Sequence, residues 1–365
     1  MMLEELNLAG SAMTLERKGI IAMTLGEKIQ KYRKALGLSQ EELGQRLFVS
    51  RQTVSLWEKN QTVPTVDNLK LLKEVFGVTV DEILSTEEKP CETVNSNSLD
   101  TICASLAYAM GIEPPKHAAQ RNWDLSHYID KVFGGEKADR VVMYNPDAIA
   151  QWIYKKYDGF FEVARKNAGI EIPLATVMPS VTPVCFGTMY TGAQPQVHGI
   201  QKYEKPIITV DTIFDALIRA GKRPVIISYG QASLSKIYLG RDMDYFISDK
   251  RGNEGIAEVN AKAAEIILKD EHDFIVIYNG NYDTAMHKSG PESASSLGEL
   301  SANCHEFMTL YKLIENNWGH HNTLLGFAMD HGCHEIDGGS GSHGLDMLED
   351  INITHLYRGF ERKNK

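Results

Sequence analysis

The sequence predicts two folds in one chain: an N-terminal all-α bundle of short helices, then an α/β domain on a largely parallel central sheet. Three observations predict this. Residues 25–85 place apolar residues at helical spacing between good helix caps. From about Leu99 onward, helical stretches alternate with apolar, strand-like runs, the pattern of an α/β domain. Three of those runs lead into an aspartate: residues 141–146 into Asp147, residues 274–278 through Asn279-Gly280-Asn281-Tyr282 to Asp283, and residues 324–329 into Asp330.

The bundle reads as follows. Gly26 to Leu36 has helical spacing and Gly37 suits the stop after it. Ser39 caps a second helix, with Glu42 completing a capping box, and Ser50 caps a third from Arg51 to Lys59. A fourth follows Pro64-Thr65, with Leu69, Leu72 and Phe76 on one face. The polar stretch 86–98 lacks apolar periodicity and is the expected linker between a 24–85 domain and a 99–365 domain. Residues 1–23 read as a leader. Glu16-Arg17-Lys18-Gly19 is encodable by a purine-rich stretch resembling a ribosome-binding site, so a start at Met23 is the expectation and Met1 the alternative.

Bulk properties narrow the function classes. Hydrophobic residues make up 43% and charged residues 24% of the 365 residues, an ordinary globular composition. A formal net charge of −10 argues against coating nucleic acid with the whole surface, but allows a local basic face. The five cysteines are scattered without a Cys-x-x-Cys pair, which suits a reducing compartment. No apolar run approaches the roughly 18 residues that span a bilayer, and no export signal is evident, so the expectation is a cytoplasmic protein with no membrane partner.

Residues 25–85 resemble the helix-turn-helix domain of Cro-like phage repressors. The likeness rests on Ser39-Gln40-Glu41-Glu42-Leu43-Gly44, Val49 to Glu58, and Pro64. It implies that the third helix enters the major groove while the second crosses the backbone. Val54 and Trp57 should face the core with Val49, leaving Arg51, Gln52, Thr53 and Ser55 outward as candidate DNA contacts. Gln52 suits adenine, and Arg51 suits guanine or a phosphate. Gln40 is placed for a phosphate, and Lys59 adds charge at the far end of the third helix. Residues 24–62 hold seven basic residues against four acidic ones, a local excess of the right sign. One such module binds weakly alone, which leaves room for a homodimer.

In an open α/β sheet, ligand sites form beyond the carboxyl ends of the strands. Asp147, Asp283 and Asp330 should therefore converge with His287, His331 and His343 as a metal-binding constellation. The segment from Met178-Pro179-Ser180-Val181-Thr182-Pro183 through Thr191-Gly192 to His198-Gly199-Ile200 then resembles the alkaline phosphatase superfamily, nearest the type I phosphodiesterase/nucleotide pyrophosphatase branch. That resemblance implies an alkaline phosphatase-like core and puts Thr182 at the nucleophile position. It further implies that Asp147, Thr182, Asp330 and His331 hold one divalent metal, and Asp283, His287 and His343 a second. Donors without thiolate suit Zn2+, with Mn2+ as the alternative.

The implied activity is hydrolysis of a small phosphoester or nucleotide. Paired cations can clamp attacking and leaving oxygens, and Pro183 suits the first turn of a helix whose N–H groups could receive phosphate oxygens. The alternative is a transcriptional regulator whose phosphatase-like domain senses a phosphorylated ligand without turnover. Two departures bear on substrate. Cys185 stands where the branch usually has a phosphate-contacting asparagine, and Thr182, Val184 and Phe186 do not make the sulfatase Cys-x-Pro-x-Arg pattern. We expect Cys185 and His198 to serve structure, and His320 and His321 to lie at the surface.

Overall fold

Capping and apolar spacing together fix the N-terminal helices. The structure is a computed structural model that describes residues 24–78, 83, 93–336 and 339–363. The expected leader and residues 86–92 of the expected linker lie outside the described residues. Helices α1 (Leu25–Ala35), α2 (Gln40–Arg46), α3 (Arg51–Glu58) and α4 (Val66–Phe76) start at Thr24, Ser39, Ser50 and Thr65, whose side chains each accept the N3 backbone N–H. The predicted Ser39–Glu42 capping box is present, and Thr24–Glu27 forms a second. Ile29, Leu43, Val54 and Leu72 are fully buried, with Trp57 nearly so, making the small core of this unit.

That core contains an ion pair. Arg33 Nε lies 2.5 Å from Glu58 Oε1, and Arg33 Nη2 donates to Oε2 at 3.1 Å. Burial alone would raise the Glu58 carboxyl, but the bonds from Arg33 and Gln40 outweigh it and hold it below the usual range. One of the seven basic residues thus faces inward, paired and lost to any partner.

The chain divides between Thr93 and Val94. Part of the expected linker belongs to the C-terminal unit: Asn95 donates its backbone N–H to Asn352 Oδ1 at 2.9 Å, and Asn97 O accepts from Ala175 N–H at 2.7 Å. Ser98 bridges Ala175 in parallel fashion. Backbone pairing at a sheet edge needs no apolar side chains, so composition disguised this segment.

The C-terminal unit is built on a seven-stranded sheet. Its strands are β1 (Arg140–Pro146), β2 (Ile170–Ala175), β3 (Pro224–Tyr229), β4 (Asp244–Ser248), β5 (Phe274–Asn279), β6 (Thr323–Phe327) and, after the hairpin β7 (His334–Ile336) and β8 (Ser340–Ser342), β9 (Asn352–Phe360). The order is β2-β9-β6-β1-β5-β3-β4, with β9 antiparallel to both its neighbours and every other pairing parallel. Every residue of β5 and β6 is buried, as expected where helices cover both faces of a parallel sheet. The helices that matter here are α5 (Thr101–Met110), α6 (Asp158–Asn167), α7 (Thr182–Thr191), α8 (Gly252–Lys269), α9 (Asn281–Ser289) and α10 (Ala294–Asn317). Helix α10 packs on α6, α8 and α9, while α5 packs on α7.

This topology positions the site. Strand β1 lies between β6 and β5, so the chain reaches its two neighbours by leaving in opposite directions. A crevice opens at the carboxyl end of such a switch point. Asp147 follows β1, Asp283 lies in the first turn of α9 after β5, and Asp330 follows β6. Strand β2 runs in the same direction as these three, so Thr182 is delivered to the same edge.

Candidate functional site

Two groups of three donors come together at that edge: Asp147 with Asp330 and His331, and Asp283 with His287 and His343. The first is fully buried. His331 Nε2 lies 3.3 Å from Asp147 Oδ1, 3.4 Å from Asp330 Oδ2 and 3.3 Å from Thr182 Oγ1. Thr182 Oγ1 is 3.5 Å from Asp147 Oδ1. In the second group, Asp283 Oδ1 is 3.2 Å from His287 Nε2 and 3.4 Å from His343 Nε2. The rings of His331 and His343, 4.1 Å apart, join the two groups into one cluster.

The tautomers follow from the backbone. His287 Nδ1 is 2.9 Å from Gly341 O, His331 Nδ1 is 2.9 Å from Gly332 O, and His343 Nδ1 is 3.1 Å from Ser180 O. A carbonyl only accepts, so each Nδ1 carries the proton, and in the neutral ring each Nε2 turns a bare lone pair toward the carboxylates. This carbonyl-bonded arrangement is the usual support of a metal-ligating imidazole.

The carboxylates point the same way. Asp283 Oδ1 and Asp330 Oδ2 are buried without a hydrogen bond, although imidazole nitrogens lie close by. Burial, then the charges of Asp330 and Asp283, push Asp147 well above the usual carboxylate range, and burial pushes Asp330 up to about 8. At Asp283 burial also pulls upward, but His287 and His343, when protonated, outweigh it and hold the carboxyl low. Three crowded carboxylates, three lone-pair nitrogens and two orphaned oxygens fit divalent cations. Six metal-ligating candidates and Thr182 are thus brought together at one edge.

Glycines after two of the histidines have a steric cause. A Cβ on Gly332 would sit 2.0 Å from Glu349 O, and Gly344 has φ +103°. Either change would displace the neighbouring imidazole.

Thr182 opens α7 with Pro183 behind it. The expectation that this helix start offers several N–H groups to phosphate is not met. Pro183 has no N–H, and Val184 and Cys185 both donate back to Val181 O at 3.0 Å. The Thr182 N–H is the donor left at hand. Cys185 is fully buried. The Thr176 hydroxyl donates to Asp330 O at 2.7 Å and lies 3.1 Å from the Cys185 Sγ. Burial, with the Asp330 charge behind it, pushes the thiol well up. Cys185 is a packed thiol.

Sequence reasoning missed several residues here. Tyr278, in β5, donates its phenol proton to Asp147 Oδ2. A cleft of about 350 Å3 reaches Asp147, Thr182 and Asp283 and is walled by Tyr203, Lys205, Tyr229 and Arg251. These wall residues lie in loops and element ends with no periodic pattern to mark them. His198 is buried, accepting from Ile200 N–H at Nδ1 and donating from Nε2 to Thr188 Oγ1 at 3.1 Å. His320 lies at the surface as expected, whereas His321 is largely buried; both reach Asp270 Oδ2, at 3.1 and 2.9 Å.

On the N-terminal unit, Arg51, Gln52 and Lys59 are exposed, and Thr53 and Ser55 are partly covered. Thr53 Oγ1 is 2.9 Å from the cap Ser50 Oγ. Gln40 is committed on one side, donating to Glu58 Oε2 at 2.8 Å, which ties the start of α2 to the end of α3.

Comparison with known proteins adds the following. Residues 29–83 match the family model described as Helix-turn-helix. The HTH-type transcriptional activator BcrR of Enterococcus faecalis is 40% identical over 82 residues, 22% of this chain and 40% of that protein. Repressor protein C2 of Salmonella phage P22 is 27% identical over 128 residues, 35% of this chain and 50% of that protein. The matched stretches therefore span half or less of these relatives. Murine ectonucleotide pyrophosphatase/phosphodiesterase 5 superposes on 55% of this chain and 58% of its own, with TM-score 0.46 and 18% identity. No helix among the described residues is long and apolar enough to cross a membrane. The N-terminal unit, with its capped α2 and α3 and the family match over residues 29–83, is a helix-turn-helix domain.

Proposed function

We propose that the C-terminal unit is a metal-dependent phosphoesterase of the phosphodiesterase/nucleotide pyrophosphatase kind, with Thr182 as nucleophile, fused to a sequence-specific DNA-binding module. The observation that carries the reading is the position of Thr182 Oγ1, 3.5 Å from Asp147 and 3.3 Å from His331, within the cluster of lone-pair nitrogens and carboxylates. Asp147, Thr182, Asp330 and His331 would hold one divalent cation, and Asp283, His287 and His343 the other. Zn2+ suits imidazole and carboxylate donors, and Mn2+ is the alternative. Such cations, when bound, supply Lewis-acid neutralisation of phosphate oxygens.

The chain's own residues do the rest. Thr182 donates its proton to Asp147 Oδ1, and an oxygen lone pair is left for phosphorus. The Thr182 Oγ1–P bond forms as the bond to the leaving oxygen breaks, and the Thr182 proton passes by way of Asp147 to that oxygen. Water then attacks phosphorus, releasing phosphate or its monoester and restoring the hydroxyl. The DNA module would read bases through Arg51 and Gln52, with Thr53 and Ser55 beside them and Gln40 and Lys59 on the backbone; a homodimer suits such a module, and DNA reading carries with it a cytoplasmic site of action.

The test is hydrolysis of 4-nitrophenyl phosphate and bis(4-nitrophenyl) phosphate by wild type and Thr182→Ala, with metal content measured. Turnover by the variant should fall by about 10³-fold or more with folding retained. Equal turnover would remove Thr182 as nucleophile. Wild-type inactivity on a broad phosphoester panel, with two metals bound, would favour a ligand-sensing regulator.

A further inference from the structure

The chain leaves the sheet after β6 and returns to it at β9, and the two histidines that join the donor groups lie on that excursion. His331 stands on the way out and His343 on the way back. The β7–β8 hairpin pairs the two limbs, His334 opposite Ser342. A single carboxylate ties them together a second time. Asp350, fully buried in the helical turn Leu348–Ile351 just ahead of β9, reaches both limbs. Its Oδ1 accepts the Nδ1–H of His334 at 2.8 Å on the outgoing limb. Its Oδ2 accepts the Leu345 N–H at 2.8 Å on the returning limb. Its backbone oxygen accepts the Gly332 N–H, also at 2.8 Å.

These bonds end beside the candidate ligands. Gly332 supplies the carbonyl that takes the His331 Nδ1 proton, so fixing its N–H also fixes that carbonyl. Leu345 follows His343-Gly344, and its side chain is 55% exposed, which leaves the backbone bond to Asp350 to hold that turn. Asp350 is no ligand candidate itself. Both its oxygens are spent on donors, it belongs to neither donor group, and it does not line the cleft. Burying a carboxylate is costly, and the side-chain bonds that offset the cost go to the two limbs that carry the histidines.

We propose that Asp350 is a positioning residue for both proposed metal sites, setting the places of His331 and His343 together through His334 and Leu345. This rests on the two-cation reading of the cluster. Loss of a partner that orients metal ligands costs about tenfold to a hundredfold in metal affinity. A carboxylate that only stabilises the fold would lower unfolding stability and leave the affinity of the folded chain where it was.

The experiment is Zn2+ affinity of the folded full chain by chelator competition, one site at a time. A His287→Ala background keeps the Asp147 site, and an Asp330→Asn background keeps the Asp283 site. Asp350→Ala should weaken Zn2+ by about tenfold or more in each. Asp350→Asn keeps an oxygen for one donor and should recover part of the loss in each. Asp270→Ala removes a carboxylate bonded to Arg140 and His321 ahead of β5, and should lower stability in urea while leaving both affinities unchanged. Wild-type affinity at either site in folded Asp350→Ala overturns the inference, as does an equal loss in Asp270→Ala. Should Asp350→Ala not fold, Asp350→Asn should still weaken both sites and His334→Ala the Asp147 site, and wild-type affinity in both variants overturns the inference. Loss at both sites without turnover of any phosphoester keeps the inference and removes only the catalytic reading. Wild type that binds no divalent cation removes the two-cation reading and this inference with it.

Discussion

The Nε2 atoms of His287 and His343 face each other at 3.1 Å, although each ring has already committed its Nδ1 proton to a backbone carbonyl. Two lone pairs cannot bond to each other. Something positive has to stand with them, and Asp283 Oδ1, orphaned at 3.2 and 3.4 Å, stands on the same spot. The proposal of two cations makes a stoichiometric prediction. Wild-type protein should hold about two equivalents of Zn2+ or Mn2+, and His287→Ala or Asp330→Asn about one each after dialysis, measured by plasma mass spectrometry. Unchanged content in both variants would remove the ligand assignments.

Asp270 with His320 and His321 offers an internal control. There the imidazole Nε2 atoms bond directly to Asp270 Oδ2, and Arg140 Nε takes Oδ1 at 2.9 Å. The cluster is satisfied by its own hydrogen bonds and a guanidinium, so His320→Ala should leave metal content unchanged in the same measurement.

Tyr278 is the support that the sequence reading did not name. Its phenol donates to Asp147 Oδ2, leaving Oδ1 for Thr182 and His331. Tyr278→Phe should weaken binding of the more tightly buried metal by about tenfold to a hundredfold while preserving the fold, read by chelator competition. Affinity equal to wild type would mean that Asp147 is oriented by the sheet alone.

Much of this was legible because the determinants are local or periodic. Capping boxes fix the helices of the first unit, and buried parallel strands announce themselves as apolar runs ending in a charged residue. Asp147, Asp283 and Asp330 were visible for that reason, and His287 and His331 because they follow two of those aspartates closely. Long-range partners left no such mark. Asn95 and Asn97 pair with residues at the sheet edge through backbone groups, and Tyr278 reads in sequence as one more apolar strand residue. Gln40 was read as a phosphate contact, and its bond to Glu58 depends on how α2 meets α3.

For the proposed DNA-reading surface, Arg51 and Gln52 are exposed at the start of α3 and their side chains make no hydrogen bond or ion pair among the described residues, whereas Arg33 is spent on Glu58. Gln52→Ala should relax sequence preference by about 1–3 kcal/mol at one base pair, and Arg51→Ala should weaken binding at fixed salt. Lys34→Ala, on an exposed face of α1, should lower affinity for all sequences little and selectivity not at all. Gel-shift titration against a selected operator and a scrambled duplex checks all three. Selectivity that survives the loss of both Arg51 and Gln52 would assign the reading surface elsewhere.

His198 supplies a pH dependence outside the metal cluster. Burial pulls its pKa down to about 4 from an ordinary value of 6.5. The folded state therefore holds the ring neutral, with Nδ1 accepting from Ile200 N–H and Nε2 donating to Thr188. The unfolded chain protonates first. Its stabilising contribution is complete above pH 6.5 and is lost as pH falls from 6.5 toward 4, by at most about 3 kcal/mol. His198→Gln keeps a donor and an acceptor but does not titrate. Urea unfolding of metal-free protein at pH 7.5 and pH 5 should show a smaller fall in stability for the variant than for wild type, since every other group titrates alike in both. Equal falls would mean that the ring is protonated in the folded protein, and the hydrogen bond from Ile200 would then have to be absent.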